Sequence, residues 1–292
     1  MKTLFGLHGG LGNSIFCLPA IKSLHRNGDD VSLCVQGDYE MVELWRRCVY
    51  VQEVFGPSQD LPAFDLYLCG QYLPSSMHGR DVRYCGFPKG TTKYERPEWE
   101  QIMRRAECRS IFPDVVDWIR DHGEGQSFDF LWDIGIVPGC KPGDEWSRKT
   151  WPGMSSIASV FREQDLSVAA FGLREDFEKV PALLKYHVGP YPLERMPEHL
   201  RRCRVIVGTD SGIVHLASSL GVPCVVIYTA TSPIKGDPVG DPATIRKISL
   251  NIPCSPCQST PRWKECTNWI CRQIPVADVV SAAYDLLSKR KG

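Results

Sequence analysis

From Val205 to Tyr228 the chain spells a complete strand–turn–helix–strand unit. Val205-Ile-Val reads as a buried strand, and Gly208 to Gly212 as a tight turn of small residues carrying Asp210 and Ser211. Ile213 to Leu220 has helical spacing, and Cys224 to Tyr228 reads as a second buried strand. Two strands joined through a helix run parallel, so this unit commits the chain to a parallel sheet with crossover helices. It also gathers unpaired backbone N–H groups at the helix start, where the dipole is positive and a phosphate is attracted. Asp210 and His215 project from the same turn. A carboxylate beside an anion site is electrostatically costly, and it makes sense there if it grips hydroxyls of a sugar attached to that phosphate.

Strand-like runs recur at Val31–Val35, Asp65–Cys69, Phe130–Val137 and Ser167–Phe171, alternating with helical patterns. The chain of 292 residues is long enough for two ordinary domains. The polar, Gly-rich stretch Asp121–Ser127 is the expected linker, after a helical stretch from Pro97 to Arg120. The expected division is 1–125, 126–275 and a last helix in 276–292. Lys plus Arg and Asp plus Glu are 34 each, so no global pull toward nucleic acid or membrane is expected. Arg104-Arg105, Arg201-Arg202-x-Arg204 and the Lys289-Arg-Lys tail read as solvated surface. No apolar run is long enough to span a bilayer, and the first residues are too weakly apolar for a signal peptide, so the expected location is the cytoplasm.

The turn belongs to a longer pattern: Asp210-Ser211-Gly212, His215-Leu216-Ala217, Gly221-x-Pro223, then Thr231-x-Pro233. Upstream stand Ile136-Val-Pro-Gly, Arg148-Lys-Thr-Trp-Pro152 and Ala169-Ala-Phe-Gly-Leu-Arg-Glu-Asp176. At the start, His8-Gly-Gly-Leu-Gly-Asn-Ser precedes a helix with Leu18-Pro-Ala-Ile. In this order the pieces resemble the heptosyltransferase-like glycosyltransferases of family 9, most densely from Ile136 to Pro233. The resemblance implies an α/β fold of two Rossmann-like domains facing a cleft (GT-B), with the C-terminal helix packed back on the N-terminal domain. It implies a nucleotide diphosphate sugar donor such as ADP-heptose, inversion at the sugar, and a hydroxyl acceptor such as a lipopolysaccharide core or other glycan. A hydroxymethylated base in viral DNA is another acceptor, against which the neutral charge argues. A nucleotide-sugar epimerase on the same fold is not favoured by the Asp210–His215 pattern.

Glycosyl transfer needs a stabilised leaving diphosphate, a deprotonated acceptor and alignment of the two. Lys149, with the N–H groups near Ser211 and Gly212, is the expected partner of the diphosphate. Glu175 or Asp176, after a strand, is placed to accept ribose hydroxyls. Asp210 holds the donor sugar, His215 reaches phosphate or sugar, and Gly12 lines the donor from the other half. The family places an aspartate after the loop glycine as candidate base, where this chain has Asn13. An amide is no general base. His8 is the expected replacement, with Asn13 orienting a substrate. Asp81, Glu95 and Glu98 are the next candidates, and a nucleotide-sugar-binding protein without transfer is the remaining reading.

Thirteen cysteines are expected to be mostly reduced and buried. Cys254, Cys257, Cys266 and Cys271 form a C-x2-C-x8-C-x4-C pattern that suits a structural tetrahedral zinc, or iron. Reduced free thiols and disulfides are the other readings. No metal or other cofactor is expected to be required for catalysis.

Overall fold

The computed structural model describes residues 1–70, 73–88, 91–113, 115–120, 129–139, 144–189 and 191–289. The expected linker at Asp121–Ser127 and the Arg290–Lys291 end of the basic tail lie outside them. Two five-stranded sheets form the frame. The first contains β1 (Lys2–His8), β2 (Asp30–Gln36), β3 (Val54–Phe55), β4 (Leu66–Cys69) and β5 (Arg83–Tyr84), in the order 3-2-1-4-5. The second contains β6 (Trp132–Val137), β7 (Val168–Ala170), β8 (Cys203–Thr209), β9 (Cys224–Tyr228) and β10 (Ile245–Ser249), in the order 10-9-8-6-7. All neighbouring strands pair in parallel. The strands most deeply buried are near-continuous apolar runs, as a sheet covered on both faces requires.

In each sheet the chain order reverses beside its first strand: between β1 and β4, and between β6 and β8. A crevice opens at such a reversal, outside the carboxyl ends of the strands. The loop 8–16 leaves one crevice, and Pro138-Gly139 and Thr209-Asp210 bound the other. The sheets do not stand apart. One apolar cluster runs from Ile15, Phe16 and Trp118 of the first half into Val214, Leu216 and Leu220 of the second. Arg47 pairs with Glu198 across this boundary, and Trp118 Nε1 donates to Ser219 Oγ at 3.1 Å.

Two sequence expectations are corrected here. The helix foreseen from Pro97 to Arg120 runs only over Glu98–Arg105. Glu107 takes a left-handed φ of 58° and turns the chain away, and Pro113 follows, so the helical repeat cannot continue. The C-terminal helix, Val276–Lys289, does not pack back on the N-terminal half. Its face of Val279, Ala283, Leu286 and Leu287 is buried with Ile134, Val205, Val225 and Ile227 of the second sheet. Arg246 Nε donates to its Asp285 at 2.7 Å, and Arg204 Nη2 donates to the Leu287 carbonyl oxygen at 3.2 Å. The reason is apolar area: this face of the second sheet has inward side chains that this helix covers. Leu286→Ala should therefore cost about 2–5 kcal/mol, read as a lowered urea midpoint, as for other buried leucines. A loss below about 0.5 kcal/mol would contradict the packing.

Candidate active site

Asp210 follows β8 and is 8% exposed. His215 Nε2 donates to its Oδ1 at 2.8 Å, and Lys149 Nζ lies 3.1 Å from its Oδ2. Burial alone would raise the affinity of this carboxyl for a proton. The Lys149 ammonium, then the hydrogen bond and charge of His215, overcome that and hold it well below the usual carboxylate range. Lys149 ends a short 3-10 stretch, Asp144–Lys149. Its neighbours fix it: Thr229 Oγ1 donates to the Arg148 carbonyl oxygen at 2.6 Å, and buried Trp151 donates Nε1 to the Ile274 carbonyl oxygen at 3.1 Å. Thr209 Oγ1 donates to the Gly139 carbonyl oxygen at 3.2 Å, tying the ends of β8 and β6 together.

Helix Gly212–Ser219 begins with no side chain capping it, and Ser211 Oγ is buried without a hydrogen-bond partner. His215 Nδ1 is also buried without one, whereas the Thr231 side chain bonds to Asp210 and Lys235 pairs with Glu98. Buried polar atoms are normally satisfied, so two such atoms on one turn mark a place made for something other than packing. The loop after β9 folds over the carboxylate: Gly236 N–H donates to the Ser232 carbonyl oxygen at 2.9 Å, and a Cβ at Gly236 would stand 3.4 Å from Asp210 Oδ1.

The N-terminal half reaches this turn through helix Leu11–Ile15. A Cβ on Gly12 would stand 3.2 Å from the His215 ring, and one on Gly212 would stand 2.8 Å from Leu11 Cβ. Phe16 meets the His215 ring edge-on at 4.8 Å. Gly12, Lys149, Asp210, Ser211, Gly212 and His215 are thus brought together. His8 is held elsewhere, its Nδ1 3.1 Å from the Leu73 carbonyl oxygen. Asn13 is half-buried in the short helix. Asp81 and Glu95 are exposed, whereas Glu98 is buried.

Beside Lys149 lies a cavity of about 490 Å³, lined by Pro138, Gly139, Ser147, Thr150, Trp151, Asp176, Trp269 and Arg272 among others. Asp176 accepts from the Leu173 N–H at 2.9 Å and so caps its own helix, Arg174–Lys179, while facing the cavity. Glu175, in the same first turn, is exposed and is not part of that lining. Trp269 and Arg272 were not foreseen. They come from the cysteine-rich segment, with the Arg272 guanidinium 4.7 Å from the Trp269 ring centre. Arg148, next to Lys149, staples that segment by donating to the carbonyl oxygens of Cys266 at 2.8 Å and Lys264 at 3.1 Å. Lys235 was also missed; no motif singled it out.

Cys254, Cys257, Cys266 and Cys271 carry free thiols. Burial, then neighbouring thiols of the set, push Cys257 and Cys271 up, while the Trp269 backbone N–H holds Cys266 down. Cys257 packs with Ala230 and Trp263, and Cys271 and Trp146 lie against them. No group of three or more His, Cys, Asp or Glu stands ready to hold a metal among the described residues.

Residues 134–267 match the family described as glycosyltransferase family 9 (heptosyltransferase). That segment, a little under half of the chain, is similar to this family. It includes Lys149, Asp210 and His215. A lipooligosaccharide heptosyltransferase 2 of Haemophilus influenzae is 28% identical over 128 residues, which are 39% of this chain and 36% of that protein. The chain therefore matches only about a third of that relative's length. Among solved structures, a family 9 glycosyl transferase from Veillonella parvula aligns with a TM-score of 0.71 at 15% identity, over 99% of this chain and 97% of the other. The E. coli ADP-heptose lps heptosyltransferase II aligns with a TM-score of 0.67 at 18% identity, covering all of both chains. These likenesses establish the two-domain GT-B architecture.

The buried Asp210 sets a pH signature for the domain. Its carboxyl lies lower folded than the roughly 3.9 of an unfolded chain, so its contribution is complete above about pH 4 and is lost as pH falls further. Asp210→Asn should cost about 3–5 kcal/mol at neutral pH, because it strands buried charge. The gap to the wild type should narrow below pH 4 in urea unfolding; a pH-independent gap would contradict the ion pair.

Proposed function

We propose that the chain transfers a sugar from a nucleotide diphosphate sugar to a hydroxyl acceptor, with inversion. The observation that carries this reading is the buried Lys149–Asp210–His215 set at the crevice of a family 9-like domain, faced by Gly12 of the other half. The nucleoside enters the 490 Å³ cavity, where Trp269 and Arg272 offer a ring and a cation and Asp176 a carboxylate. The diphosphate lies between Lys149 and the uncapped start of helix Gly212–Ser219. Lys149 then exchanges the Asp210 carboxylate for the diphosphate, which frees Asp210 to accept sugar hydroxyls. As the bond from the anomeric carbon to phosphate oxygen breaks, charge grows on that oxygen, and Lys149 and the helix start would stabilise it. The acceptor oxygen enters from the N-terminal half, past the loop of His8, Gly12 and Asn13, on the opposite face of the sugar.

ADP-heptose is the first donor to try and a lipopolysaccharide core the first acceptor, by kinship with the heptosyltransferases. The zero net charge gives DNA less support as acceptor. No helix among the described residues is long and apolar enough to cross a membrane, and the cytoplasm is the proposed site of action. Lys149→Ala should lower turnover by about 10²–10³-fold, the usual cost of losing one group that stabilises developing charge. Binding of the free nucleoside should be little changed, read by calorimetry. Donor that binds but is never transferred to any acceptor would instead support a silent nucleotide-sugar binder, for which Asn13 speaks.

No metal is assigned a step, because Lys149 and the helix start supply the positive charge. The four cysteines keep free thiols, with no group of three among the described residues set to hold a metal, and their segment is proposed to hold Trp269 and Arg272 at the cavity through packing and the Arg148 hydrogen bonds. Metal analysis should find no stoichiometric zinc or iron, and a chelator in the assay should leave transfer intact; about one equivalent per chain would contradict this.

A further inference from the structure

The acceptor hydroxyl must lose a proton, and Asn13 cannot take it. Of the carboxylates in the N-terminal half considered for this, Asp81 is exposed, and Glu95 is 90% exposed with Arg96 at 4.0 Å. Glu98 is different. It opens helix Glu98–Arg105 and is 2% exposed. Its N–H donates to the Lys235 carbonyl oxygen at 3.0 Å, and Lys235 Nζ stands 3.5 Å from Oε2. The loop after β9 is thereby held from the N-terminal half by both backbone and side chain, with the Tyr94 ring 5.5 Å from the Lys235 ammonium. The charges that act on Glu98 come from two segments of the second half: Lys235 from that loop, and His215 and Asp210 from the turn after β8. Cys17, at the end of the loop that carries Gly12 and Asn13, feels the Glu98 charge in turn.

We propose that Glu98 is the general base of the transfer, standing between the acceptor loop and the donor turn. This rests on the glycosyltransferase reading above. The acceptor O–H proton passes to the Glu98 carboxylate as the oxygen bonds to the anomeric carbon. The bond from that carbon to the phosphate oxygen breaks, its electron pair leaves with the diphosphate, and the proton passes to solvent when product departs. Burial raises the proton affinity of the carboxylate, which strengthens it as a base, and Lys235 offsets part of that rise. Lys235 is thus a positioning residue that sets the working range of Glu98.

The test compares Glu98→Gln, His8→Ala and Lys235→Met with the wild type, on transfer to an accepted acceptor. Glu98→Gln should lower kcat by about 10²-fold or more while donor affinity by calorimetry stays close to that of the wild type, which also shows that the variant folds. Lys235→Met should move the acid limb of the kcat profile to higher pH, because the cation that holds the carboxyl down is gone. If His8→Ala carries the large loss and Glu98→Gln does not, the base is His8 and the proposal is overturned. An acid limb unmoved in Lys235→Met overturns it as well. Wild-type protein that transfers to no acceptor overturns the glycosyltransferase reading itself, and this proposal with it.

Discussion

The site depends on one buried carboxylate. Asp210 has left water, and it stays ionised because Lys149 and His215 occupy both of its oxygens. Such an arrangement contributes little net stability, since desolvation consumes most of the Coulombic gain. Its neighbours nevertheless serve it. The 3-10 stretch holds Lys149, the Thr209–Gly139 link closes the strand ends, and the loop after β9 covers the carboxylate. Around it Ser211 Oγ and His215 Nδ1 stay buried and unpaired. A chain selected for stability alone would not collect these features at one crevice, whereas one that binds a polar ligand there recovers their cost on binding.

The second constraint is steric. The two halves meet where Gly12 faces His215 and Gly212 faces Leu11, and side chains at either glycine would push them apart. The contact sets acceptor loop against donor turn at van der Waals distance. Glu98 and Lys235 tie the halves again on the same side, and the shared apolar cluster ties them behind. On the transfer reading, alignment of two reactants is a large share of what the site must supply, and the way the halves pack would provide it.

Much of this was legible in the sequence because it is local. Apolar runs of strand length between turn signals gave the strands, and Asp210, Gly212 and His215 lie within six residues of one another, so one turn suffices to gather them. Lys149 was legible only through its resemblance to a known segment, since its partner is far along the chain. What stayed hidden depends on long-range packing. The helical repeat after Arg105 looked continuous, but Glu107 leaves it at a positive φ. The C-terminal helix showed an apolar face without showing which sheet it would cover. Trp269 and Arg272 belong to no motif of their own, and the Arg148 staple ties their segment down beside the cavity. Lys235 sits in an unremarked loop, and its importance comes from Glu98, which lies in the other half.

The central claim is that the second half holds a nucleotide diphosphate against Asp210's cation. A crystal structure of the protein soaked with ADP decides it most directly. The diphosphate should lie between Lys149 Nζ and the N–H groups of Gly212 and Ile213, with the nucleoside in the cavity beside Trp269. Nucleotide bound instead at the ends of β1 and β4 in the N-terminal half would contradict the account.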